Sequence, residues 1–156
     1  MVLSIKMPRP FLSSIDNKLQ KQNLNSFSKV VFILHDQLNL SAWPDWISEE
    51  KPLLVFMESR EKGEEIPHHK IKATFVLSSM RHFALECADQ GFPVLYHSTN
   101  KHFDGGIAEL TQGFNGTLYF MTPSEWDTRE RLRSIEADNF QIEELPNNIG
   151  DGDGEE

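Results

Sequence analysis

Lys29-Val30-Val31-Phe32-Ile33-Leu34-His35-Asp36-Gln37-Leu38-Asn39 is the stretch on which the fold turns. Its first half is a short apolar run, β-branched at the start. Its second half becomes polar within one residue. Runs of this length suit strands buried on both faces, as in a parallel sheet. Three more follow, at Leu53-Leu54-Val55-Phe56-Met57, Pro93-Val94-Leu95-Tyr96-His97 and Thr117-Leu118-Tyr119-Phe120-Met121. Phe140-Gln141-Ile142-Glu143-Glu144-Leu145 is a weaker fifth.

Helical signals lie between the runs. Pro67 suits a first helical position, where its missing N–H is no loss. Ile71, Phe75, Val76, Met80, Phe83, Ala84 and Cys87 then recur on one wide apolar stripe. Gly91 is placed to end that helix, and Pro93 prevents its continuation. A shorter helix is expected over about Gly106 to Gln112, after an Asp104-Gly105-Gly106 turn. Thr122-Pro123-Ser124-Glu125 reads as a capping box that opens a helix running to about Asp138. Strands alternating with helices, with a very short first crossover, predict an α/β fold. The expected architecture is a Rossmann-like, five-stranded parallel sheet with helices on both faces.

The 156 residues fit one domain, and the absence of any apolar run of ~18 residues excludes a transmembrane helix. One cysteine, Cys87, excludes an intrachain disulfide framework and a cysteine-only metal site. The net charge is −9 and unevenly spread. Residues 1–28 carry four bases against one acid, whereas residues 136–156 carry eight acids and no base. The expected organisation is a disordered extension over 1–28, an α/β domain over 29–145 and a disordered acidic tail over 146–156. Neither a secretory signal nor a transit peptide is read at the start, and a cytoplasmic location is expected.

In parallel α/β folds, ligands sit outside the carboxyl ends of the strands. After the first run stands His35-Asp36-Gln37, where a dinucleotide-binding domain would place a glycine-rich turn. Glu58 follows the second run, and Ser124-Glu125-Trp126 follows the fourth. Asp36 and Glu58 are the best-placed acceptors. They could serve acid–base chemistry or accept hydrogen bonds from a ligand; equally, Asp36 could cap a loop and Glu58 pair with Arg60 or a neighbour. Trp126 reads either as an aromatic face for a ligand or, more readily, as a core residue of the last helix. His68 and His69 are adjacent and so do not share a helical face, and no metal site is expected. With Lys70 they could bind an anion at a helix start, although a solvated polar turn is the plainer reading.

Taken together, these residues resemble a known family. His35-Asp36-Gln37-Leu38-Asn39 is similar to a Gly-Asp-Gln-Leu-Asn motif. Glu58-Ser59-Arg60-Glu61 with His68-His69-Lys70-Ile71-Lys72 resembles a Glu-x-Arg-x…His-His-Lys-x-Lys block. Ser78-Ser79-Met80-Arg81-His82-Phe83-Ala84 and Ser124-Glu125-Trp126 complete the set. The whole resembles the amino-terminal domain of deoxyribodipyrimidine photolyase-related proteins, the iron–sulfur bacterial branch of the photolyase/cryptochrome superfamily. The likeness spans about residues 29–145.

The resemblance implies a DNA-repair flavoprotein in which an α/β domain precedes a helical one. The helical domain holds FAD, a 4Fe-4S cluster and the lesion pocket, and the whole protein repairs (6-4) photoproducts with light. The α/β domain holds an antenna chromophore, 6,7-dimethyl-8-ribityllumazine where identified. By motif match, Asp36, Gln37, Leu38 and Glu58 would line its pocket. FAD and the cluster are not expected in this chain, which reads as a truncated member, inactive alone. Its expected partner is a helical FAD-binding domain or chain, or a second copy of itself. The sequence departs from the family pattern at His35, where glycine is usual, and at Glu65, where tyrosine is common.

Two other readings stay open at this point. One is a ligand-free interaction module or remnant. The other is a small enzyme built on Asp36 and Glu58, which lacks an evident nucleophile, metal set or cofactor loop. The charge distribution yields a direct expectation. At physiological salt the chain should not bind duplex DNA tightly, because clustered Lys and Arg are what phosphates require. Fluorescence anisotropy with labelled duplex checks this, and a sub-micromolar dissociation constant that weakens steeply with salt would contradict it.

Overall fold

The computed structural model describes residues 22–60 and 70–147. The five apolar runs form β1 (Lys29–Ile33), β2 (Leu53–Ser59), β3 (Val94–Thr99), β4 (Thr117–Met121) and β5 (Gln141–Leu145). Between them lie α1 (Asp45–Glu50), α2 (Lys70–Asp89), α3 (Phe103–Leu110) and α4 (Trp126–Arg133). Short 3-10 turns occupy Leu24–Ser26 and Leu40–Ala42. The strands form one sheet in the order β3-β2-β1-β4-β5. Each neighbouring pair is parallel, as the sequence predicts.

The period of two along each strand divides the core. Val30 and Phe32 of β1, Val55 and Met57 of β2, and Leu118 and Phe120 of β4 point to one face. There they meet Phe103 and Ile107 of α3 and Leu132 of α4. Val31, Ile33, Leu54, Phe56 and Met121 point to the other face. That face is covered by Ile47 of α1 and by Met80, Ala84 and Cys87 of α2. Every residue from Val30 to Leu34 is buried, which explains why the run is continuous rather than alternating.

Several boundaries differ from the sequence-based expectation. Residues 22–28, assigned to a disordered extension, include Leu24, which is 5% exposed and packs in the first core layer. Phe27 packs beside it. The first crossover, read as very short, holds both the second 3-10 turn and α1. β2 continues to Ser59 and β3 to Thr99, because the pairs Glu58↔Ser98 and Ser59↔Thr99 extend their ladder. Met80, Ala84 and Cys87 of the α2 stripe are buried, whereas Val76 and Phe83 are only partly so. The side chains of Ile71 and Phe75, with Glu65, His68 and His69, lie outside the described residues. So does most of the acidic tail, from residue 148 onward.

The Asp104-Gly105-Gly106 turn is instead the first turn of α3. His102, 2% exposed, provides the cap: its Nδ1 accepts from Phe103 N at 2.8 Å. Gly106 lets the helix lie against β2, since a Cβ there would stand 2.4 Å from Met57 Sδ. Gly91 terminates α2 with φ +98°, a left-handed conformation that side chains disfavour. Among the described residues no helix is long and apolar enough to cross a membrane.

Cys87, the single cysteine, reports on this packing. It is fully buried, and burial pushes its thiol from about 9 up to about 12. A raised pKa contributes stability that is complete below pH 9 and is lost as pH rises towards 12. The native protein is therefore expected to resist thiol-specific reagents at neutral pH. Its labelling rate should follow the urea unfolding curve, and fast labelling without denaturant would show that the α2 face is wrongly assigned.

Candidate functional site

The sheet order places the switch point between β1 and β4. The chain leaving β1 runs to α1 on one face, and the chain leaving β4 runs to α4 on the other. In parallel α/β sheets this divergence is where ligands sit, at the carboxyl ends of the strands. The β1–β2 ladder ends at the pair Ile33↔Phe56, and Glu58 stands two residues further along β2, near its carboxyl end. The β1–β4 ladder ends at the pair Phe32↔Phe120, and in the turns beyond it Asp36 and Ser124 are joined by a hydrogen bond. Asp36, Glu58 and Ser124 therefore share one rim.

Asp36 and Ser124 meet directly across the switch point, where Ser124 Oγ donates to Asp36 Oδ2. The other oxygen, Oδ1, is buried and accepts no hydrogen bond among the described residues. A buried acceptor without a donor is costly and uncommon in a folded chain. His35 is exposed in the turn just before it.

Gln37 has a different place. It is 0% exposed, and both ends of its amide are engaged. Its Oε1 accepts from Leu34 N at 3.0 Å, and its Nε2 donates to Met121 O at 3.0 Å. Its backbone carbonyl accepts from Trp43 Nε1 at 2.8 Å. The residue ties the end of β1 to the end of β4. Leu38 is partly buried against the α1/α2 face of the core.

Glu58 sits at the other side of the rim. Oε2 of its carboxylate accepts from Arg81 Nε and from Tyr96 Oη, while Oε1 accepts from Arg81 Nη2 at 2.7 Å. The side chains of Arg81 and Glu58 are 5% and 14% exposed. Burial, followed by the charge and hydrogen bond of Glu58, pushes the Tyr96 phenol well above its ordinary range, so it remains a donor. Residue type and spacing gave no sign that Arg81 would turn inward from a helix. A buried charge meeting an opposite charge on a neighbouring strand is visible only in three dimensions.

Trp126 is not a core residue: 67% of it is exposed, at the first position of α4. The capping box at Thr122 does not form. Thr122 is held in the β ladder, with its N–H donating to Leu145 O and its hydroxyl to Glu144. The helix consequently starts at Trp126 with Glu125 as its cap residue, and Glu125 Oε1 accepts from Thr128 Oγ1 at 2.6 Å. It stops at Arg133, short of Asp138, where the Arg133 guanidinium forks onto Glu144 of β5 at 2.8 Å. That contact holds the Glu144 carboxyl below the usual range.

Among the described residues, no three of His, Cys, Asp and Glu gather to hold a metal ion. An open cleft of about 550 Å³ lies beside Leu95 of β3 and Leu110 of α3, and none of the rim residues line it.

Truncating Gln37 to alanine should strand Leu34 N–H and Met121 C=O in the interior. The expected loss is roughly 2–4 kcal/mol by urea unfolding, from two buried groups left unpaired. A change within about 0.5 kcal/mol, as at an ordinary surface site, would show that the bridge contributes nothing.

Comparison with known proteins agrees with this architecture. The family model for deoxyribodipyrimidine photo-lyase-related proteins matches residues 31–149. The (6-4) photolyase of Agrobacterium fabrum is 30% identical over 112 residues, which is 67% of this chain. The matched region spans only 22% of that relative's length. The match begins within β1 and runs beyond β5, taking in β2 to β5, most of β1 and both sides of the switch point; the chain belongs to the deoxyribodipyrimidine photo-lyase-related protein family.

Proposed function

We propose that this chain acts as an antenna-type α/β domain within a light-driven DNA-repair system. On this reading it holds a flat, hydrogen-bonding heterocycle of the ribityllumazine kind at the β1/β4 rim and catalyses no repair by itself. The observation that carries the reading is Asp36 Oδ1, a buried acceptor at the switch point that no donor among the described residues reaches. A ring N–H or a ribityl hydroxyl would supply that donor. The exposed indole of Trp126, two residues after Ser124, offers an aromatic face of the sort flat rings stack on. Among the described residues the rim has no glycine cradle, so a heterocycle fits it better than a pyrophosphate does.

The four residues implied by the motif match are unequal in this respect. Among the described residues no donor reaches Asp36 Oδ1, and Oε1 of Glu58 accepts a single hydrogen bond. Gln37 is fully buried with both amide ends engaged, so its part is to fix the Asp36 turn rather than to touch a ligand. Leu38 contributes apolar wall. A ribityllumazine bound here would supply light absorption. The protein's share is to place the ring, exclude water from Oδ1 and fix the ring's orientation. FAD and the iron–sulfur cluster belong on this reading to a helical partner.

The exposed Trp126 also supports a second reading, in which this end of the sheet is a docking surface for that helical domain. Titration with 6,7-dimethyl-8-ribityllumazine, followed by its fluorescence, separates the two. Binding by the unmodified chain that falls by tenfold or more in Asp36→Ala is expected if the rim holds the ring, since a hydrogen bond to a charged group is worth roughly 1.5–3 kcal/mol. Equal affinity in both proteins would exclude this site, and no binding to either would favour the docking surface.

A further inference from the structure

We propose that Arg81 and Tyr96 are positioning residues for ligand recognition, holding the Glu58 carboxylate so that one lone pair of Oε1 is left as a fixed acceptor for a ring N–H. The inference rests on the heterocycle reading above and adds to it the residues that set the ligand's orientation and its required donor.

The three side chains come from three elements: Glu58 from β2, Arg81 from α2 and Tyr96 from β3. A carboxylate offers about four acceptor sites. Among the described residues three are used: two on Oε2, from Arg81 Nε and Tyr96 Oη, and one on Oε1, from Arg81 Nη2 at 2.7 Å. The guanidinium grips both oxygens in its planar fork, which fixes the plane of the carboxylate as a single lysine contact could not. Tyr96 fixes which oxygen is saturated. Its own ring is set by stacking on Phe56, with centroids 6.3 Å apart and planes 13° apart. Phe83 of α2 packs edge-on against that same Phe56 ring.

The saturated oxygen and the half-used one therefore have defined positions. Glu58 lies next to the carboxyl end of β2, and 14% of its side chain remains exposed. A carboxylate accepts and never donates, so the site demands N–H or O–H from its ligand at this point. A lumazine ring presents such a group at its imide nitrogen, N3.

The test uses two probes, 6,7-dimethyl-8-ribityllumazine and its N3-methyl derivative, against the unmodified chain, Tyr96→Phe and Arg81→Lys. Far-ultraviolet circular dichroism verifies that each variant is folded. The unmodified chain is expected to prefer the parent ring by about tenfold or more, the worth of one hydrogen bond to a charged acceptor. Tyr96→Phe and Arg81→Lys should each reduce that preference to about threefold or less, because the acceptor is no longer held in place. A preference that persists unchanged in a folded Tyr96→Phe overturns the positioning role. Equal affinity of the unmodified chain for both probes overturns it as well, while leaving the heterocycle reading intact. Binding of neither probe removes the heterocycle reading and this inference together. Since Arg81→Lys leaves a buried carboxylate with a poorer partner and can unfold, Tyr96→Phe carries the decision.

Discussion

One buried amide holds the switch point together. Gln37 accepts from Leu34 N and donates to Met121 O, so the last peptide of β1 and the last of β4 are joined through a single side chain. At this place the sheet order reverses direction, and the two connections diverge to opposite faces. No backbone ladder bridges that gap beyond the paired residues. An alternative partner for these interior groups would have to be water, which the surrounding core of Ile33, Trp43 and Met121 excludes. The same residue's carbonyl receives the Trp43 indole, so the first crossover is anchored at the same point. Everything on the rim, including Asp36 one residue earlier, takes its position from this bridge.

A second polar node stands on the neighbouring strand β2, on the sheet's other half. Arg81, Glu58 and Tyr96 bring a helix and two strands to one charge-assisted cluster. A buried ion pair contributes little net stability once desolvation is counted, but breaking it leaves an uncompensated charge. Such clusters fix geometry more than they add free energy. Here the geometry fixed is that of an acidic group at a strand end, where α/β sheets accept ligands. The two nodes thus play distinct parts: Gln37 is wholly internal, while Glu58 keeps partial exposure.

The family membership and the partial span of the relative fit this picture of a positioned rim on an ordinary sheet. Fold alone assigns no activity. What distinguishes this chain is the chemistry at its strand ends: an acceptor at Asp36 with no donor among the described residues, a clamped carboxylate at Glu58 and an indole at position 126 that is two-thirds exposed.

The sequence by itself determined the class of fold. Five short apolar runs separated by helical spacing leave few alternatives, because a strand covered on both faces must be apolar at nearly every position. The end of α2 at Gly91 and the extent of β4 were also legible, since glycine conformation and proline exclusion are local properties. The strand-end positions of Asp36, Glu58 and Ser124 followed from the same runs. Only the tertiary structure decided what those residues do. Thr122 looks like a helix cap in isolation, yet β5 captures it in the ladder. Trp126 looks like core and stands in solvent, because α4 begins one turn later than its local signal. Leu24 looks like part of a tail and is buried, and Gln37 looks like a rim ligand and is a bridge between strands 84 residues apart. In each case the deciding partner is distant in the chain, and local propensity carries no information about which long-range contact will compete with it.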